Sequence, residues 1–280
     1  MFSNVSFVKK IHDNFLEPSQ QQLIILLEHY KAGRYDDAEK LSLSITKQFP
    51  KHQFAWKVLG AVLKQNGKID ESLIVTEKCL QLNPGDAEAN NNLGVLLQDK
   101  GKFKEAETSF RQAIKLKSNY VEALFNLGYS QQRLGRLKEA EINYKKAIVL
   151  KPSFTKAYNN LGIVLKDLGN LSEACSAYAQ AIILNPNFND AYVNLGIAIK
   201  SIRFNSSNVK LYPILIQLIN MGNFARPKDL APSILSLLKN DPVIKNLLIE
   251  ENFPKNLKEV SSIIFSLDKI RIIHYLMRIC

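Results

Sequence analysis

Glycines at 33, 67, 101, 135 and 169 stand 34 residues apart, and each opens the same short phrase: "GRYDDAE", "GKIDESL", "GKFKEAE", "GRLKEAE" and "GNLSEAC". A second set keeps the same interval upstream, as Leu59-Gly60, Leu93-Gly94, Leu127-Gly128, Leu161-Gly162 and Leu195-Gly196. A third closes each unit with Pro50, Pro84, Ser118, Pro152 and Pro186. A recurring period of this length predicts supersecondary units that stack, each too small to bury its apolar face alone. The interval holds two helices and a turn. The glycine between them permits a left-handed turn that ends the first helix. The proline cannot continue the second helix, so it marks the next unit.

The remaining small residues fit this scheme. Glycines 60, 94, 128, 162 and 196 fall inside first helices, where glycine costs about 1 kcal/mol relative to alanine. Close helix-to-helix approach explains that cost, and Ala106, Ala140 and Ala174 follow the same logic on second helices. The acids of "DDA", "DES", "KEA" and "SEA" fall in first turns of second helices, where carboxylates suit the helix dipole.

Aromatic, Leu-Gly, small residue, aromatic and closing proline over 34 residues is the tetratricopeptide pattern. The chain resembles the tetratricopeptide-repeat family throughout 19–204, with repeats at 19–52, 53–86, 87–120, 121–154 and 155–188, then a sixth first helix at 189–202. The resemblance implies an all-α fold, a right-handed α-α superhelix with a C-terminal helical extension. The first repeat diverges, with Leu26 in place of the glycine, as expected of a cap. The array ends near 204, where "RFNSSNVK" replaces the turn and second helix. Residues 1–18 are an N-terminal segment.

Residues 205–280 lose the 34-residue frame but keep helical signals. Val209–Asn220 is apolar at helical spacing. Asp229 is expected as a cap with Pro232 in the first turn, and Asp241 as a cap before Pro242. Val260, Ile263, Ile264 and Leu267 form another stripe. Four or five short helices are expected to pack on the last repeat. The final "DKIRIIHYLMRIC" stops without glycine, proline or a polar tail, so the natural chain is expected to continue. An array followed by such a segment resembles the N-terminal halves of bacterial proteins that carry a methyl-, sulfo- or glycosyltransferase domain.

Composition bounds the function. Hydrophobic residues make up 46% of the 280, enough for a core, and charged residues 22%. No apolar run reaches membrane-spanning length, and the start lacks the order of a secretory signal; a soluble cytoplasmic protein is expected. The net charge of +11 raises nucleic acid as a partner. The charge is spread out, however, with +7 in residues 1–204 and +4 after them, and no basic run interleaves with aromatics. Nucleic acid is therefore not expected. Cys79, Cys175 and Cys280 make no CxxC pair and read as buried thiols. The four histidines form no ligand pair, and no Walker, GxGxxG, HExxH or GxSxG motif is present. Neither catalysis nor a cofactor is expected within these residues.

Asparagine recurs at the sixth position of four repeats: Asn92, Asn126, Asn160 and Asn194. At ~100° per residue, position 6 falls nearly opposite the packing face set by positions 4, 7, 8 and 11, so these side chains are expected to point away from the neighbouring helix. An amide offers donors and an acceptor and can hold a peptide backbone without reading its side chains. The Asn-Leu-Gly motif resembles the asparagine ladder in repeats of the O-linked N-acetylglucosamine transferase family. That resemblance implies a row along the groove of the superhelix, starting at the third repeat because Ile24 and Val58 stand at position 6 before it. Asn91 and Asn159 would widen the row. Lys64, Lys166 and Lys200 at position 12, and Arg133 at 13, would attract an acidic partner. The alternative is that copied repeats simply inherited a solvated asparagine. The expected function is a scaffold that binds a protein or extended peptide; the alternative is the substrate-recruiting part of a larger transferase.

Overall fold

The computed structural model describes residues 17–206, 208–221 and 227–240, together with Pro242. They form an all-α array of stacked helix-turn-helix units followed by further helices. The chain divides into two compact units, Met1–Gly135 and Arg136–Cys280.

The first unit contains α1 (Gln20–Lys31), α2 (Tyr35–Gln48), α3 (Gln53–Gln65), α4 (Ile69–Leu82), α5 (Ala87–Asp99), α6 (Phe103–Leu116) and α7 (Val121–Arg133). Ser19 caps α1 in a reciprocal box with Gln22. Asp86 caps α5 by accepting from the backbone N–H groups of Glu88 and Ala89. Gly33, Gly67 and Gly101 each have φ between 72° and 75°. The residue after each closes the turn with a bond five residues back, from Arg34 N–H to His29, Lys68 to Leu63 and Lys102 to Leu97. These bonds satisfy carbonyls that a helix end otherwise leaves open. Leu26, Ala38, Ile45, Ala55, Val58 and Val62 form one core cluster; Leu97, Ala106, Phe110 and Leu127 form another.

The glycines of the Leu-Gly pairs lie against second helices. A Cβ on Gly94 would sit 2.5 Å from the Phe110 ring, and one on Gly60 would sit 2.9 Å from the Thr76 hydroxyl. Only a residue without a side chain permits this approach.

The second unit contains α8 (Leu137–Leu150), α9 (Thr155–Asp167), α10 (Leu171–Leu184), α11 (Asn189–Ser201), a 3₁₀ turn (Val209–Leu211), α12 (Tyr212–Met221) and α13 (Pro227–Lys239). Gly162 lies against Tyr178 as Gly94 does against Phe110, with 2.5 Å between its added Cβ and the ring. Hydrogen bonds fasten the later helices to the end of α11. Ser233 Oγ donates to the Ile202 carbonyl at 2.7 Å, and the Phe204 N–H donates to Ser236 Oγ at 2.8 Å. Tyr192 Oη donates to Gln217 Oε1 at 3.0 Å.

Helix α13 starts at Pro227, two residues before the expected cap. Asp229 therefore lies in its first turn and Pro232 inside it. Proline at 227 supplies a helical φ at the first position. The expected cap at Asp241, the stripe at 260–267 and the C-terminal apolar run lie outside the described residues.

Candidate functional site

The position-6 asparagines of the first unit are Asn92 on α5 and Asn126 on α7. Both are half-buried. Asn126 Nδ2 donates to Asn91 Oδ1 on α5 at 3.1 Å. Asn91 is itself only 7% exposed. For Asn126, the expectation that position 6 turns away from its neighbour is thus corrected. The amide is long enough to reach back across the groove between first helices, and a buried acceptor rewards the reach. Gln98 reinforces the seam, donating to the Asn126 carbonyl and to Ser130 Oγ, both at 2.8 Å.

The second unit repeats the link. Asn194 Nδ2 donates to Asn159 Oδ1 at 3.0 Å, and Asn159 is 5% exposed. Asn160 instead donates to the buried Tyr144 hydroxyl at 3.4 Å. Asn91 and Asn159 therefore lie beneath the row as acceptors and do not widen its surface.

Asn92 differs from the other three. Its amide has no hydrogen-bond partner among the described residues. The position that supplies Asn91 and Asn159 holds Lys57 in the repeat before it, and an ammonium cannot accept. Lys57 turns to Asp86 at 3.2 Å and to Glu88. Burial pulls its pKa down, but the hydrogen bonds to Glu88 and Asp86 outweigh that and raise it. The position that supplies the Tyr144 hydroxyl holds Thr76. Asn92 accordingly stands on the wall of a cleft of about 250 Å³, with Tyr30, Ala61, Thr76, Val95 and Leu96.

The cations expected to attract an acidic partner are mostly engaged. Lys64 pairs with Asp99 at 3.0 Å, Lys166 with Asp167 at 3.6 Å and Lys200 with Asp229 at 3.7 Å. Arg133 is exposed. It lies over the Phe103 ring at 4.7 Å and donates to Tyr129 Oη at 3.1 Å. A cation stacked this way keeps its charge while losing little freedom. Ile24 is 52% exposed, whereas Val58 is buried. The cleft beside Asn92 is the feature sequence reasoning missed. Its signal was present as threonine at 76, where later repeats have Phe110, Tyr144 and Tyr178.

Among the described residues no group of His, Cys, Asp and Glu could hold a metal ion. No described helix is long and apolar enough to cross a membrane. Cys79 and Cys175 are buried and free. Burial pushes the Cys175 thiol up to about 12, which keeps it protonated and unreactive.

Tetratricopeptide-repeat family models match residues 75–108, 121–154 and 155–188, and a TPR-repeat model matches 96–135. Residues 75–188 thus carry tetratricopeptide repeats. No curated protein matches it significantly. Solved structures share the fold. The crystal structure of MamA is 24% identical, with TM-score 0.54 over 59% of this chain and 90% of that one. YrrB, described as a TPR protein with an unusual peptide-binding site, is 21% identical, with TM-score 0.54 over 66% and 95%. TTC0263, a thermophilic TPR protein of Thermus thermophilus, is 23% identical, with TM-score 0.51 over 64% and 98%.

Proposed function

We propose that this chain is a protein-interaction scaffold that holds an extended segment of a partner along the first-helix face of its first unit. The observation that carries the reading is Asn92, a half-buried amide whose donors and acceptor have no partner among the described residues, on the wall of a cleft. Asn126 extends the same face. After its bond to Asn91 it keeps one donor and its acceptor for a ligand. Two amides on successive first helices suit the alternating N–H and C=O of an extended chain. The Asn-Leu-Gly resemblance to the O-linked N-acetylglucosamine transferase repeats supports the same use. So does the peptide-binding site ascribed to YrrB, although that likeness extends only to the fold. No observation favours the recruiting arm of a transferase over a scaffold.

Selection from a random linear peptide library tests the reading. Selected peptides should bind the chain in solution, and Asn92→Ala should weaken them about fivefold, the effect of one net hydrogen bond. Failure to select any peptide, or selected peptides indifferent to Asn92→Ala, would overturn it.

A further inference from the structure

Position 24 of the third and fifth repeats lies on the second helix, against the glycine of the Leu-Gly pair. In the third repeat it is Phe110 and in the fifth Tyr178, and each ring lies close against its glycine, Gly94 and Gly162. In the second repeat it is Thr76. The glycine is kept there as Gly60, yet the atoms near its open side are the Thr76 hydroxyl at 2.9 Å, a Val75 methyl at 3.6 Å and the Ser72 carbonyl at 3.9 Å. The backbone thus retains the close approach that admits a ring, and the ring is missing. The cleft of about 250 Å³ opens beside it, with Gly60 and Thr76 among its lining residues.

The walls fit a ring. Ala61, Val95 and Leu96 are apolar, and Tyr30 adds an aromatic side. Asn92 lines the same cleft, and its amide is placed to meet the backbone that carries the entering side chain. Lys64, also among the lining residues, is held by Asp99 at 3.0 Å and so leaves the cleft without an uncompensated charge.

Resting on the groove reading above, we infer that this cleft is an anchor pocket for one aromatic side chain of the extended partner, whose ring takes the place that Phe110 and Tyr178 occupy in their repeats. The arrangement separates two tasks. The asparagines hold backbone of any sequence, and the cleft sets which residue must stand at one point along it. A buried aromatic anchor carries a large share of binding energy in such interfaces.

Filling the cleft from the protein side tests the inference. Thr76→Phe restores the side chain of the third repeat under a glycine already placed to receive it. Peptides selected on the unaltered chain should carry an aromatic residue at one fixed position. Thr76→Phe should weaken them at least about tenfold, and selection on that variant should lose the aromatic preference while still yielding peptides. Selected peptides without an aromatic preference, or undiminished binding to a folded Thr76→Phe chain, would overturn the pocket and leave the groove reading standing. Should Thr76→Phe not fold, a photoreactive benzoylphenylalanine at the enriched position decides the matter. Crosslinks to Ala61, Thr76 or Val95 support the pocket, and crosslinks only elsewhere exclude it. If no peptide is selected at all, the groove reading falls, and the pocket with it.

Discussion

Asn126 Nδ2 lies 3.1 Å from Asn91 Oδ1 on the preceding first helix, and Asn194 stands in the same relation to Asn159 at 3.0 Å. The same sequence offset therefore produces the same amide-to-amide link in both units. A residue that looks like a ligand contact in sequence is also part of the seam between repeats.

This dual role changes what an alanine scan of the row should show. Asn126→Ala removes a donor from a buried acceptor and should cost about 1–3 kcal/mol. Asn92→Ala removes no bond and should stay within about 0.5 kcal/mol. Urea unfolding of the two variants checks this. Equal losses at both sites would contradict the assignment of Asn126 to the seam.

The Leu-Gly glycines should differ in their tolerance of a methyl group. Gly94→Ala drives a Cβ into the Phe110 ring at 2.5 Å, an overpacking expected to cost about 1–3 kcal/mol. Gly60→Ala meets the small Thr76 hydroxyl and should cost less. Pairing Gly94→Ala with Phe110→Leu should recover part of the loss, which a double-mutant cycle of melting temperatures would read.

Two buried tyrosines should respond in opposite ways to losing their hydroxyls. The Tyr144 hydroxyl accepts from Asn160, so Tyr144→Phe should destabilise by about 1 kcal/mol. The Tyr178 hydroxyl is buried with no partner among the described residues, and burial drives its pKa upward. Tyr178→Phe should therefore be neutral or stabilising, because it removes an unsatisfied polar atom. Thermal melts of the two variants separate the cases.

Alkaline stability should reflect Cys175. Burial raises its folded pKa from 9.0 to about 12. The unfolded thiol ionises first as pH rises. The contribution is thus complete below about pH 9 and is lost progressively towards pH 12. Cys175→Ala should flatten the fall in the urea midpoint as pH rises from 9.0 towards about 12. An unchanged slope would assign the alkaline loss to other groups.

Much of the architecture was legible because the determinants are local and repeated. Glycine with positive φ at 33, 67, 101, 135 and 169 is a backbone requirement visible in one residue. The 34-residue interval makes each instance support the others. Past residue 204 that redundancy ends. There the start signal read for α13, Asp229, falls inside the first turn of the helix and not at its cap.

The sequence by itself determined the helix pairs and their turns, since periodicity and turn chemistry act over a few residues. Only the tertiary structure decided which asparagine is available. That depends on what stands opposite each amide after stacking: Asn91 for Asn126, Asn159 for Asn194, the Tyr144 hydroxyl for Asn160, and a non-accepting Lys57 and a short Thr76 around Asn92. A hydrogen bond needs its partner close at hand, and residues 16 to 35 apart in sequence come within 3.0 to 3.4 Å only once the helices pack.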